Sequence, residues 1–133
     1  MTYYIKLYFA TFLVFFAVDM LWLGVISRTF YKKQLGFLMA PEVNWYAALI
    51  FYFLFILGIL VFVVLPGLKE NDLPVMLVKA ALFGLITYAT YDLTNLATVK
   101  DWPLVITIVD LIWGMVLTTI VSLAGFLFGR WMS

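Results

Sequence analysis

Four long apolar runs, separated by short charged links, decide what this chain can fold into. A helix needs roughly 20 apolar residues to cross the hydrocarbon core of a bilayer. The runs cover about Tyr4–Ile26, Trp45–Leu65, Val75–Val99 and Pro103–Phe128. Only 11% of the 133 residues are charged, against roughly 25% in a soluble domain. The expected fold is an all-α integral membrane protein, a four-transmembrane-helix bundle forming one domain over residues 1–133. Pro66 and Gly67 in "LPG" are expected to end the second run, and Pro103 to open the fourth. Trp45, Trp102 and Trp131 stand at run ends, where indoles anchor at the interface. The first run is too long for a signal h-region, holds Asp19 and Trp22, and is expected to be retained.

The first connection reads "SRTFYKKQLGFLMAPEVN". On a helix, Phe30, Tyr31, Leu35, Phe37 and Leu38 share one side, while Arg28, Lys32, Lys33 and Gly36 take the other. This predicts a short amphipathic helix over about 28–39, lying on the bilayer between the first two spans. With four spans, both termini lie on one side of the membrane, called side A; the other is side B. Lys6, Lys69, Lys79 and Arg130 belong to side A, and Arg28, Lys32, Lys33 and Lys100 to side B. The tie sets no orientation by the positive-inside rule, and it leaves open an antiparallel homodimer.

Composition also excludes chemistry. There is no cysteine, so disulfides and thiolate sites are out, and no histidine, so imidazole catalysis and ligation are out. Net charge is +1, which offers no basic field for nucleic acid. Proton chemistry must use Asp, Glu, Tyr, Lys or water. No cofactor and no metal site is implied.

Three acids break the apolar runs. Asp19 and Asp92 each lie seven residues before the side-B end of their span, and Asp110 lies seven after the side-B start of its own. At 1.5 Å per residue, all three sit about 10 Å below side B. Tyr52 is at that level on the second span. Gly84, Thr87, Tyr88, Tyr91, Asp92, Asn95 and Thr98 recur at steps of three and four, as do Thr107, Asp110, Gly114, Thr118, Ser122 and Gly125. These stripes should face each other rather than lipid, and small residues on them allow close helix approach. They predict an interior pocket opening toward side B. Its candidate ligand- or proton-binding residues are Asp19, Asp92, Asp110, Asn95, Tyr88, Tyr91, Tyr52, Trp22 and Trp113, with Glu42 and Asn44 at the mouth.

A charged carboxylate at the bilayer centre costs at least about 2.5–3.5 kcal/mol. Each acid must therefore be protonated, hydrogen-bonded, hydrated or neutralised by a cation. The bland alternative is helix glue: Trp22 follows Asp19 by three residues and Trp113 follows Asp110 by three, so each acid could accept its neighbour's indole N–H.

"VDMLWLGVISRTFYKKQLGFLMAPEVNW", "ATYDLTNLATVKDWP" and "VDLIWG" resemble the bacterial membrane family catalogued as domain of unknown function 2177. The resemblance covers nearly the whole chain. It implies a four-span bacterial inner-membrane protein with cytoplasmic termini and a periplasm-facing pocket, and it implies no activity. Three roles then compete. One is proton- or cation-coupled transport of a small solute, and another is a membrane enzyme or binding protein for a lipid or isoprenoid. The third is a structural subunit locked by its polar pocket. The expected partners are membrane lipids, a small solute, cation or lipid ligand, and a second copy of the chain.

Overall fold

The structure, a computed structural model, describes the backbone of residues 1–133 and every side chain but that of Ile26. It is all helix, in five pieces. Helix α1 spans Thr2–Leu21 and continues through a wide π turn, Trp22–Ile26. Helix α2 is short, Arg28–Leu35. Helix α3 runs Trp45–Glu70, α4 runs Leu73–Thr98, and α5 runs Leu104–Met132. Helices α1, α3, α4 and α5 are each long and apolar enough to cross a membrane.

The ends follow local chemistry. Asn44 accepts from the Ala47 N–H at 3.2 Å to start α3, and Asp72 accepts from the Val75 N–H at 3.3 Å to start α4. Asn71 ends α3 in the left-handed region, at φ 52°. Asp101 takes φ 60° in the tight link between α4 and α5.

Three expectations need correction. First, Pro66 and Gly67 do not end the second span. A π turn at Leu60–Val64 resets the hydrogen-bond register, so Pro66 falls in the first turn of the resumed helix. Its missing N–H is harmless there. Gly67 is then buried against Met76 of α4, whose Cγ would lie 2.5 Å from an added Cβ. Second, the short helix ends at Leu35 rather than Met39, in a turn where the Leu38 N–H reaches the Leu35 carbonyl at 2.8 Å. Third, Pro103 precedes α5 in extended conformation instead of lying within its first turn.

The bundle is apolar on its outer surface and carries a few polar groups within a largely apolar core. Ile5, Phe9 and Leu13 of α1, Val78, Leu82 and Ile86 of α4, and Ile108 and Ile112 of α5 point outward. Helix α5 sits at the centre, with buried positions along its whole length, while α1 buries only Leu7, Thr11, Phe15 and Asp19. Two seams hold the halves together. Between α1 and α3 the seam is aromatic: Phe12 stacks on Phe53 at 4.9 Å, Phe15 meets Tyr52 edge-on at 5.3 Å, and the Tyr8 hydroxyl donates to the Phe53 carbonyl at 2.8 Å. Between α4 and α5 it is glycine on glycine. A Cβ on Gly84 would lie 2.1 Å from the Gly114 carbonyl oxygen, so the two backbones touch.

Candidate functional site

The acids gather at the side-B end of the bundle, where α1, α4 and α5 bury one each: Asp19, Asp92 and Asp110. They do not form one cluster. Among the described residues no three acids come close enough to hold an ion together. Asp19 faces Tyr52 of α3 and Trp113 of α5, both able to donate to it. Asp92 instead lies beside Asp110. Asp92 is 0% exposed, and neither carboxyl oxygen receives a hydrogen bond from any donor among the described residues. Two acceptors can bond each other only through a shared proton, or through a cation between them. Tyr88 lies between the two sites, its ring pressed against Gly114.

The π turn at the end of α1 completes the site. The Ser27 N–H and hydroxyl both donate to the Trp22 carbonyl at 2.8 Å, and α2 departs from there across the end of the bundle. Its Tyr31 hydroxyl donates to Asp110 Oδ1, and the Trp22 indole donates to the Tyr31 oxygen at 3.3 Å. Burial, and then the Asp110 carboxylate, push the Tyr31 phenol well above its ordinary pKa, so it remains a donor. Neither Ser27 nor Tyr31 stood out from the sequence as a site residue. The missed signal is a tyrosine on the apolar face of a helix that otherwise meets lipid.

Neither tryptophan takes the partner that its spacing suggests. The Trp22 and Trp113 rings stack at 4.3 Å, which turns both indoles away from the acids on their own helices. Trp22 therefore meets Tyr31 and Trp113 meets Asp19, in place of acids three residues back on their own helices. Trp102, expected as an interfacial anchor, is buried and donates to Thr107 at 3.1 Å; Thr107 in turn donates to the Asp92 carbonyl at 3.4 Å. Trp45 and Trp131 remain exposed. Tyr91 is 59% exposed and edge-on to Trp102, so it lies outside the pocket, while Asn95 beside it is half-buried. Glu42 is exposed in the link, and Asn44 spends its side-chain oxygen on capping α3.

Residues 4–127 match the family described as Predicted membrane protein (DUF2177). The chain belongs to that family. No curated protein and no solved structure matches it. Membership in DUF2177 agrees with the four apolar spans and leaves the role of the Asp92–Asp110 pair to be argued from its own chemistry.

Proposed function

We propose that this protein is a small membrane transporter in which the Asp92–Asp110 pair binds and releases a proton, or a cation in its place, coupled to movement of a small polar or cationic solute. The observation that carries this reading is the Asp92 carboxyl, wholly buried, without a donor, and next to a second acid. A fixed charge left there would cost at least about 2.5–3.5 kcal/mol. An exchangeable positive charge removes that cost and makes the pair a carrier. A carboxyl kept as glue would stand beside neutral donors, as Asp19 does beside Tyr52 and Trp113. Tyr31 joins the pair to α2, so lifting that short helix would free Asp110 toward side B. In this scheme the membrane is a bacterial inner membrane, the termini are cytoplasmic and the pair faces the periplasm.

The test is reconstitution into liposomes under an imposed pH gradient, with internal pH followed by a trapped dye. Wild type should collapse the gradient, faster when the solute is present. Asp92→Asn and Asp110→Asn should not. Equal rates for wild type and the two variants would refute the carrier role.

A further inference from the structure

Beyond the acids, the inner face of α5 keeps two hydroxyls with nothing to hold. Thr118 Oγ1 and Ser122 Oγ are fully buried and have no hydrogen-bond partner among the described residues. In an apolar helix a hydroxyl ordinarily returns to its own backbone, four residues earlier. Five threonines elsewhere in the long helices do so: Thr11 bonds the Leu7 carbonyl at 2.7 Å, Thr87 bonds Phe83 at 2.9 Å, and Thr90, Thr94 and Thr98 follow the same rule. The sharpest contrast is next door. Thr119 bonds the Met115 carbonyl at 2.7 Å, while Thr118 turns its oxygen toward Gly84 of α4. Leaving a buried hydroxyl unpaired costs about 1–3 kcal/mol, and here two successive turns do it.

Spacing indicates what would satisfy them. Residues 118 and 122 are one turn apart, a rise of about 6 Å. Two waters in series at ordinary distances of about 2.8 Å span that gap. The same face continues to both ends of the helix. Toward side B it reaches Gly114 and Asp110. Toward side A it reaches Gly125, where the Thr11 oxygen would lie 3.1 Å and a Val64 methyl 3.3 Å from an added Cβ, and Gly129, which packs against Leu68 and whose carbonyl accepts from the Tyr3 hydroxyl at 2.9 Å. There it meets an open cavity of about 660 Å³ lined by Tyr3, Lys69, Asn71 and Arg130 among others. From residue 110 to residue 129 the rise is about 28 Å, close to the roughly 30 Å of a hydrocarbon core.

We infer that this face is a hydrated proton route from the side-A cavity to the carboxyl pair, with Ser122 and Thr118 as its relay hydroxyls and the Gly84–Gly114 contact as its barrier. It rests on the carrier reading above and assigns the path by which side A reaches the acids. Each hydroxyl accepts a proton from the water on one side and passes its own to the water on the other, so nothing is consumed. Between Thr118 and Asp110 the helix backbones touch, which closes the route to water unless α4 and α5 shift. Side-B access to the acids and side-A access to the hydroxyls are thereby kept apart.

Because the chain has no cysteine, single thiols report hydration cleanly. Alkylation needs the thiolate, which forms in water and not in a dry apolar interior. N-ethylmaleimide added to proteoliposomes of Thr118→Cys, Ser122→Cys and Val121→Cys, read by intact mass, should modify the first two and spare the buried Val121 position. If Ser122→Cys is as inert as Val121→Cys, the route is dry and the inference fails, whatever the flux. The paired assay uses Thr118→Val with Ser122→Ala. Proton uptake should slow by about tenfold, the effect of one lost hydrogen bond of ordinary strength, while the melting temperature holds or rises. Unchanged uptake in that double variant overturns the relay but leaves the carrier intact. Absence of uptake in wild type overturns the carrier itself and the route with it.

Discussion

The two halves of the bundle bury an acid in opposite ways. On the α1–α3 side, Asp19 sits behind an aromatic seam and faces two donors, Tyr52 and Trp113. On the α4–α5 side, Asp92 sits on a seam of bare backbone contact, faces another acid, and has no donor. Both groups are below 8% exposed, so burial alone does not separate them. Partnering does. A carboxyl beside neutral donors can be structural, whereas one without a donor beside its like needs a mobile positive charge.

Four experiments press on this contrast, the largest expected effect first. Gly114→Leu should unfold the α4–α5 half, because its side chain would have to displace Tyr88 and the Gly84 backbone. Overpacking costs about 1–3 kcal/mol in ordinary cores, and here the obstacle is partly main chain, so little folded protein should survive extraction and size-exclusion chromatography. Asp110→Asn should abolish gradient collapse in liposomes while leaving the melting temperature in detergent unchanged or higher. A large loss of stability would place Asp110 with Asp19 as a structural group. Asp19→Ala should do the reverse, keeping uptake and lowering stability by about 0.6 kcal/mol, at most about 1.7 kcal/mol, through loss of its polar contacts with Tyr52 and Trp113. Loss of uptake with stability intact would erase the distinction between the halves. Tyr8→Phe should be the mildest, removing only the bond to the Phe53 carbonyl, again about 0.6 kcal/mol.

The fold was legible because its signal is coarse. A span needs only length and low charge, and all four runs supply both. The polar stripes of the third and fourth spans were legible for a similar reason, since a three-to-four periodicity puts Gly84, Asp92, Asp110 and Gly114 on facing sides whatever the details. Less could be read where one helix speaks to another. Trp22 and Trp113 stack with each other, and no spacing within a single segment encodes that. Pro66 looked like a stop because its consequence depends on a π turn several residues earlier. Tyr31 reaches Asp110 only because Ser27 turns the chain back over the bundle. Thr118 and Thr119 are the same residue type side by side, and only the packing of α4 tells which hydroxyl goes unpaired.

The tight link at Asp101 and the contact between Gly84 and Gly114 also bear on how the protein enters its bilayer. Helices α4 and α5 form a closed hairpin with Asp92 and Asp110 on its inner faces. Such a hairpin can partition as one piece, presenting Leu82, Ile86, Ile108 and Ile112 to the lipid while its carboxyls see only each other. Insertion in that form would shield Asp92 and Asp110 from hydrocarbon, with α1 and α3 closing around the hairpin.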